Sequence, residues 1–344
     1  MPVRFGLIGC GKIAERLALP QLTGGAAAKV TALVDLNRHA AQRLARRFKL
    51  DPRCVWTDWR RMLREADVDA VGVCVPNDLH RDVAVGCCEA GKHVMVEKPI
   101  APTLQEADQI ITAARAAGVL LMVEQTQRFD PIHETAKTVL DSGRLGRILM
   151  VRGRIGHAGP EYWSRTSRWL TTRRRAGGGA LMDVGIHIAD LLRWLSGKTV
   201  RRVCAVTARL QKSWKLEDNA SALLEFSDGT LGSCEASWTT RPYEVATWFY
   251  GARGTLTTAH GRRPPLRLRL GRTSGDPNLP KTPDMIPVVP ARSRLGGAYP
   301  YFAQCILTNR KPFVSGEEGR AALEIVLAAY RSARDGGWVD VLAG

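Results

Sequence analysis

Val3-Arg4-Phe5-Gly6-Leu7-Ile8-Gly9-Cys10-Gly11-Lys12-Ile13-Ala14 is the stretch that decides the fold. Its apolar run predicts a buried strand over residues 3–8. The glycines then turn the chain into a helix that begins at Lys12. Gly9, Gly11 and Ala14 form a G-x-G-x-x-A pattern in the context it requires, after a strand and at the start of a helix. The first glycine permits the tight turn, the second lets the backbone approach a pyrophosphate, and Ala14 lets helix and strand pack closely. The helix start at Lys12, Ile13 and Ala14 offers amide donors and a positive dipole end to phosphates. A second strand over 30–34 ends in Asp35. A carboxylate there binds the ribose 2′-hydroxyl of NAD and repels a 2′-phosphate. NAD is therefore the expected cofactor. NADP is the alternative, through Arg38.

Working outward, apolar runs at 70–75, 94–96 and 120–123 alternate with helical patterns at 37–48, 78–90 and 103–117. Gly91 and Gly118 stand where they would stop the last two helices. Strands apolar at nearly every position are buried on both faces, as in a parallel sheet covered by helices. Residues 1–125 are thus expected to form an α/β, doubly wound, dinucleotide-binding Rossmann domain. Beyond Gln125 a helix at 131–140 precedes strand-like runs at 148–155, 200–210, 220–226, 231–238, 244–250 and 255–258. Asp228-Gly229 signals a hairpin. Residues 260–297, rich in Pro, Arg and Gly, read as a long irregular loop, and 317–334 as a closing amphipathic helix. Residues 126–344 are expected to be an α+β domain with a large, mostly antiparallel open sheet, which binds substrate and oligomerises. Few helices remain to cover both faces of that sheet, so a homodimer or homotetramer is expected to form through it.

The chain has 344 residues, 45% hydrophobic and 24% charged, which is ordinary globular composition. No apolar run is long enough for a membrane span and no signal peptide is read. Lys plus Arg is 50 and Asp plus Glu 33, a net charge of +17. The basic residues are scattered and aromatics make up only 6%, so no nucleic-acid partner is expected. The eight cysteines form no C-x-x-C pair, which points to buried thiols in a reducing cytoplasm and to neither disulfides nor a metal site.

Three later segments bear on function: Val75-Pro76-Asn77-Asp78-Leu79-His80, then Ala90-Gly91-Lys92-His93-Val94-Met95-Val96-Glu97-Lys98-Pro99, then residues 177–190, from Gly177-Gly178-Gly179 through Asp183, Gly185 and His187 to Asp190. Lys98 follows a strand's C-terminal end, where ligands bind in open α/β sheets. Its ammonium suits a developing oxyanion; an ion pair with Glu97 is the structural alternative. Asp183 and His187 are four residues apart and would share a helix face. His187 has the pKa range to accept a hydroxyl proton, with Asp183 orienting it or gripping a substrate hydroxyl. The glycine run would let the backbone approach a nicotinamide.

In order and spacing these segments resemble the P-N-x-x-H, A-G-K-H-V-x-x-E-K-P and G-G-G-x-x-x-D-x-G-x-H-x-x-D signatures of the Gfo/Idh/MocA oxidoreductases, along essentially the whole chain. The resemblance implies a dehydrogenase that moves a hydride between NAD(P) and a secondary alcohol of a sugar, inositol or related polyol. It implies Lys98, Asp183 and His187 as the catalytic set. Val75, Pro76, Asn77, His80, Glu97 and Gln125 match positions of the family's cofactor contacts. His157, Tyr162 and Trp163 are candidates for the substrate pocket. Arg165, Arg168 and Arg173 to Arg175 either bind an anionic substrate or form a solvated basic face. Two other readings remain open at this point: tightly held NAD used for transient oxidation during elimination or glycoside cleavage, and a non-catalytic NAD-binding sensor.

Overall fold

The computed structural model describes residues 1–162, 168–271, 286–287 and 295–341. It contains two compact units. In the first, six strands pair in parallel: β1 (Val3–Ile8), β2 (Ala28–Val34), β3 (Val55–Trp56), β4 (Ala70–Val73), β5 (His93–Glu97) and β6 (Leu121–Glu124). Their order across the sheet is β3-β2-β1-β4-β5-β6. The order reverses beside β1, which places the Gly9 turn at the topological switch point. Phe5, Leu7, Val71, Val73, Val94 and Val96 are fully sealed from solvent, as continuous apolar strands require. The helices start and stop on local signals. Thr103 caps the helix Leu104–Ala116 by accepting from the amide of Glu106, whose carboxylate accepts from the Thr103 hydroxyl. Gly91 and Gly118 leave their helices at φ 71° and 66°.

Residues 174–177 and 295–320 also pack into the first unit. The helix Ala298–Leu307 packs Tyr299 and Phe302 against Phe5, at ring-centroid distances of 5.8 and 6.4 Å. The Gln21 side-chain oxygen accepts from the Tyr299 amide at 3.0 Å. The glycine at position 72 makes room for this ring, since a β-carbon there would lie 2.7 Å from the Tyr299 oxygen.

The second unit is built on a nine-stranded sheet. It comprises β7 (Ile148–Gly156), β8 (Val200–Ala208), β9 (Asn219–Phe226), β10 (Leu231–Ser237), β11 (Glu244–Gly251), β12 (Gly254–Ala259), β13 (Leu266–Leu270), β14 (Ile286–Pro287) and β15 (Val339–Asp340). The order is β14-β13-β12-β11-β7-β10-β9-β8-β15. Among the described residues, only β7 and β10 of this sheet pair in parallel. The Asp228-Gly229 hairpin joins β9 to β10, with Gly229 at φ 85°. The stretch read as an irregular loop from residue 260 onward contains β13, whose Leu-Arg-Leu-Arg-Leu alternation pairs with β12.

The helix Ile186–Ser196 lies on the inner face of β7. Gly153 makes this approach possible, because a β-carbon there would stand 2.5 Å from Ile188. Beneath that helix Arg128 and Asp190, 1% and 0% exposed, form a bidentate pair at 2.7 and 2.6 Å. The Trp194 ring lies 5.6 Å from the Arg128 guanidinium. On the outer face Met150, Val206, Leu223 and Leu231 stand exposed on neighbouring strands.

Candidate functional site

One group of candidate residues, within the first unit, lies at the C-terminal ends of β1, β2, β4 and β5. Gly9 sits at φ 100°, and a β-carbon there would meet the Cys74 carbonyl at 2.4 Å, so only glycine fits. Gly11 is the opposite: nothing lies within 4 Å of where its β-carbon would be. Ala14 is fully buried, as close helix–strand packing demands, while Ile13 is exposed. Lys12 lies on the surface and pairs with Glu15 at 3.2 Å. Arg43 and Arg47 reach the other oxygen of Glu15.

Asp35 closes the turn from the side. Its two carboxylate oxygens accept the amides of Cys10 and Asn37, each at 2.8 Å. An acid that ties the glycine turn to the end of β2 keeps further lone pairs for hydroxyl donors. An open second glycine beside a fixed acid fits a dinucleotide's pyrophosphate and ribose. Arg38 stands exposed at the first position of the helix Arg38–Arg47.

Two expected cofactor contacts turn out to serve the protein's own backbone. The Asn77 amide donates to the Ala176 carbonyl at 2.9 Å. His80 is fully buried, with Nδ1 at 2.8 Å from the Pro99 carbonyl and Nε2 at 2.9 Å from that of Val75. Burial holds its pKa below the ordinary imidazole value. Its ring is a strut between the β4 and β5 loops.

Lys98 is half-buried after β5, and its peptide bond to Pro99 is cis. Glu97 and Glu124 are buried at paired positions at the ends of β5 and β6. Burial raises the pKa of both, and Glu97's charge raises that of Glu124 further. A carboxyl pair in this setting shares a proton. Lys98 favours the ionised form of Glu97, but burial outweighs it. Val75 and Pro76 are partly exposed beyond β4, and Gln125 is buried beyond β6.

A separate group of candidate residues lies within the second unit. The segment Leu181–Gly185 is a wide π-type turn that runs straight into the helix Ile186–Ser196. Such turns recur at functional sites. Asp183 lies within it, and His187 follows one turn later, 8% exposed. Trp238 donates its indole N–H to Asp183 Oδ2 at 3.0 Å. His157 is buried, and its Nδ1 accepts the Gly159 amide at 2.9 Å. The proton therefore resides on Nε2, which lies 3.6 Å from the same Asp183 oxygen. His157 thus belongs beside Asp183 and is no ordinary loop residue. Of the other pocket candidates, Tyr162 ends the turn Pro160–Tyr162, and Trp163 and Arg165 lie outside the described residues. In the basic cluster, Arg168 is exposed, Arg175 contacts Asp78 at 3.3 Å, and Arg173 lies over the Tyr330 ring.

Behind the glycine run stands a buttress that the sequence did not announce. Glu217 accepts the amides of Gly179 and Leu181, at 2.9 and 3.2 Å, and the Tyr330 hydroxyl at 2.5 Å. Tyr330 in turn accepts the amides of Gly179 and Met182, each at 3.2 Å. Burial raises the Glu217 pKa, and the hydrogen bonds it accepts pull it back. A β-carbon at Gly178 or Gly179 would lie 2.1 Å from the Tyr330 hydroxyl or the Glu217 carbonyl. Close packing of the protein on itself accounts for these two glycines. Trp238, Glu217 and Tyr330 were missed because they lie far along the chain. An aromatic residue closing β10 was the one available hint.

Residues 3–125 match the family described as "Oxidoreductase family, NAD-binding Rossmann fold", and residues 133–257 that described as "GFO/IDH/MocA C-terminal domain". The chain is similar to a 1,5-anhydro-D-fructose reductase of Ensifer adhaerens, 28% identical over 99% of both chains. It is also similar to inositol 2-dehydrogenase 2 of Saccharopolyspora erythraea, 30% identical over 74% of this chain and 71% of that one. The solved structure of the WlbA dehydrogenase from Bordetella pertussis in complex with NADH and UDP-GlcNAcA superposes with a TM-score of 0.84, at 27% identity over 100% of both chains.

Proposed function

The chain belongs to the Gfo/Idh/MocA oxidoreductase family, and on that premise we propose that it is an NAD-dependent dehydrogenase or reductase of a secondary alcohol or ketone on a sugar, inositol or related polyol. The observation that carries the cofactor assignment is Asp35, fixed by the Cys10 and Asn37 amides beside the open Gly11 turn. The Gly9 to Ala14 turn would hold the pyrophosphate and Asp35 the ribose hydroxyls. When bound, the dinucleotide supplies the hydride acceptor or donor. In this reading His187 is the residue that takes a hydroxyl proton, and the Lys98 ammonium is a donor suited to a developing oxyanion. Trp238 and His157 hold the Asp183 carboxylate in one orientation. Asp183 in turn orients the reacting hydroxyl or the His187 ring.

Fluorescence titration with NADH and NADPH tests the cofactor assignment. NADH is expected to bind more tightly; the reverse order overturns the role of Asp35 and transfers selection to Arg38. Turnover with a panel of sugars and inositols then identifies the substrate class, and no turnover with any of them overturns the activity.

The same reading includes self-association through the outer sheet face, supported by exposed Val206, Leu223, Leu231 and Met150. A monomer at micromolar concentration by light scattering overturns it. It also places the protein in a reducing cytoplasm, supported by eight unpaired cysteines. Among the described residues no helix is long and apolar enough to cross a membrane.

A further inference from the structure

The second unit holds a group of chemically apt side chains that the proposed reaction does not use. Asp130 caps the helix Pro131–Asp141, its Oδ1 accepting the Ile132 amide at 2.8 Å. Its other oxygen, Oδ2, lies 3.8 Å from His260 Nε2. His260 directly follows β12 and is anchored there by its own amide, which donates to the Val245 carbonyl at 2.9 Å. His133, in the first turn of the helix, is fully buried. The His133 and His260 rings lie 5.3 Å apart between centroids.

The protonation state of His133 follows from geometry. Its Nδ1 lies 2.9 Å from the Gln127 carbonyl oxygen. A carbonyl only accepts, so Nδ1 carries the proton and Nε2 keeps a lone pair. That Nε2 is buried and, among the described residues, has no hydrogen-bond partner; the same is true of His260 Nε2. A buried acceptor left unmet is unfavourable. Two imidazoles and a carboxylate, their ligand atoms within 4.8 Å of one another, thus face a common point. One imidazole is oriented from behind by a backbone carbonyl, the usual support of a metal-binding histidine.

We propose that Asp130, His133 and His260 bind a divalent first-row transition ion of the zinc type. Nitrogen and oxygen donors in this combination suit such an ion, with water completing the shell. Bonds of about 2.0–2.1 Å place tetrahedral donors roughly 3.3 Å apart. Rotation of the partly exposed His260 side chain closes the remaining gap. The ion would tie the start of the helix to the turn after β12, two elements otherwise far apart in sequence. Local spacing gives no sign of it, since only Asp130 and His133 are near neighbours in the chain.

The test uses the full-length, tag-free chain, stripped with a chelator and titrated with Co²⁺ and Zn²⁺. Visible absorption reports the Co²⁺ environment, calorimetry the stoichiometry, and thermal unfolding the linkage. One equivalent is expected to bind and to raise the melting temperature, in the parent and equally in His187→Ala. Asp130→Asn keeps a good helix cap, and His260→Ala alters a partly exposed side chain. Each is expected to fold and to weaken binding by at least about 10-fold. The buried His133 is left unchanged so that folding does not confound the result. Equal binding in the parent and the Asp130→Asn/His260→Ala double variant overturns the proposal. So does the absence of any stoichiometric ion in the parent, which would assign the cluster to an ordered water. Loss of the ion in His187→Ala alone would overturn it too, by moving the site to Asp183.

Discussion

Two glycine-containing turns each open a helix in this chain, and they use their glycines in opposite ways. At Gly11 the missing side chain leaves open space, with nothing within 4 Å of a notional β-carbon. At Gly178 and Gly179 the missing side chains are replaced by the protein itself, through Tyr330 and Glu217. The first turn leaves open room; the second lets a buried acid and a phenol cap a helix start from behind. Identical residue types therefore signal binding in one place and packing in the other, and only the neighbours distinguish them.

Substitution separates the two cases. Gly179→Ala drives a β-carbon into a backbone oxygen that cannot rotate away, and is expected to cost about 3 kcal/mol or more. Thermal unfolding reads this directly; a melting temperature within about 2 °C of the parent would break the comparison. Next in size is the helix that the packed turn supports. His187→Ala is expected to slow turnover by about 10² to 10⁴ while leaving NADH affinity nearly unchanged. Stopped-flow hydride transfer at saturating cofactor measures it, and parent-like turnover would make His187 a core residue.

Gly11→Ala gives the complementary result. Its backbone is compatible with alanine, so stability should hold or rise by about 0.4–1 kcal/mol. NADH binding should weaken by about 10-fold or more, or roughly 1.4 kcal/mol. Unchanged affinity would mean that the open space is not a cradle.

The smallest effect concerns buried acids, where the two regions differ again. Glu217 accepts backbone amides, whereas Glu124 has another carboxyl as its neighbour, with a pKa well above the usual range. Below about pH 4.5 Glu124 is protonated in both folded and unfolded chains, and its folded-state advantage is complete. As pH rises toward the elevated folded value, the unfolded chain releases its proton first and stability falls. Glu124→Gln keeps a donor toward Glu97 but has no proton to lose. Its stability relative to the parent should be unchanged near pH 4.5 and higher by on the order of 1 kcal/mol at pH 8. A difference that does not vary with pH would contradict the shared-proton description.

Much of this was legible in the residues. Continuous apolar runs broken by glycine located β1, β4 and the helices around them, because a parallel strand buried on both faces writes its whole length in one chemical class. The two-residue β3 is too short to leave a pattern. β13 did alternate, but within a stretch dominated by Pro and Arg. The helix Ala298–Leu307 is nearly apolar all round, so its sequence does not say which unit it serves. In the site, Asp183, His157 and His187 were identifiable by chemistry. The backbone partners of Asn77 and His80 were not legible, because a polar side chain near a loop looks the same whether it faces a ligand or a carbonyl. Trp238, Glu217 and Tyr330 act through long-range contacts that no local spacing encodes.

The Arg128–Asp190 pair has a consequence for how sequences of this kind can diverge. Each side chain is sealed from water and gripped at both of its polar ends by the other. Losing either one strands an uncompensated charge in the interior, whereas exchanging both for well-packed apolar residues is often nearly neutral. Drift by single steps is therefore blocked at these two positions, although a joint change is open. A lineage that has left the pair should show both sites altered together, with descendants of the half-changed form absent.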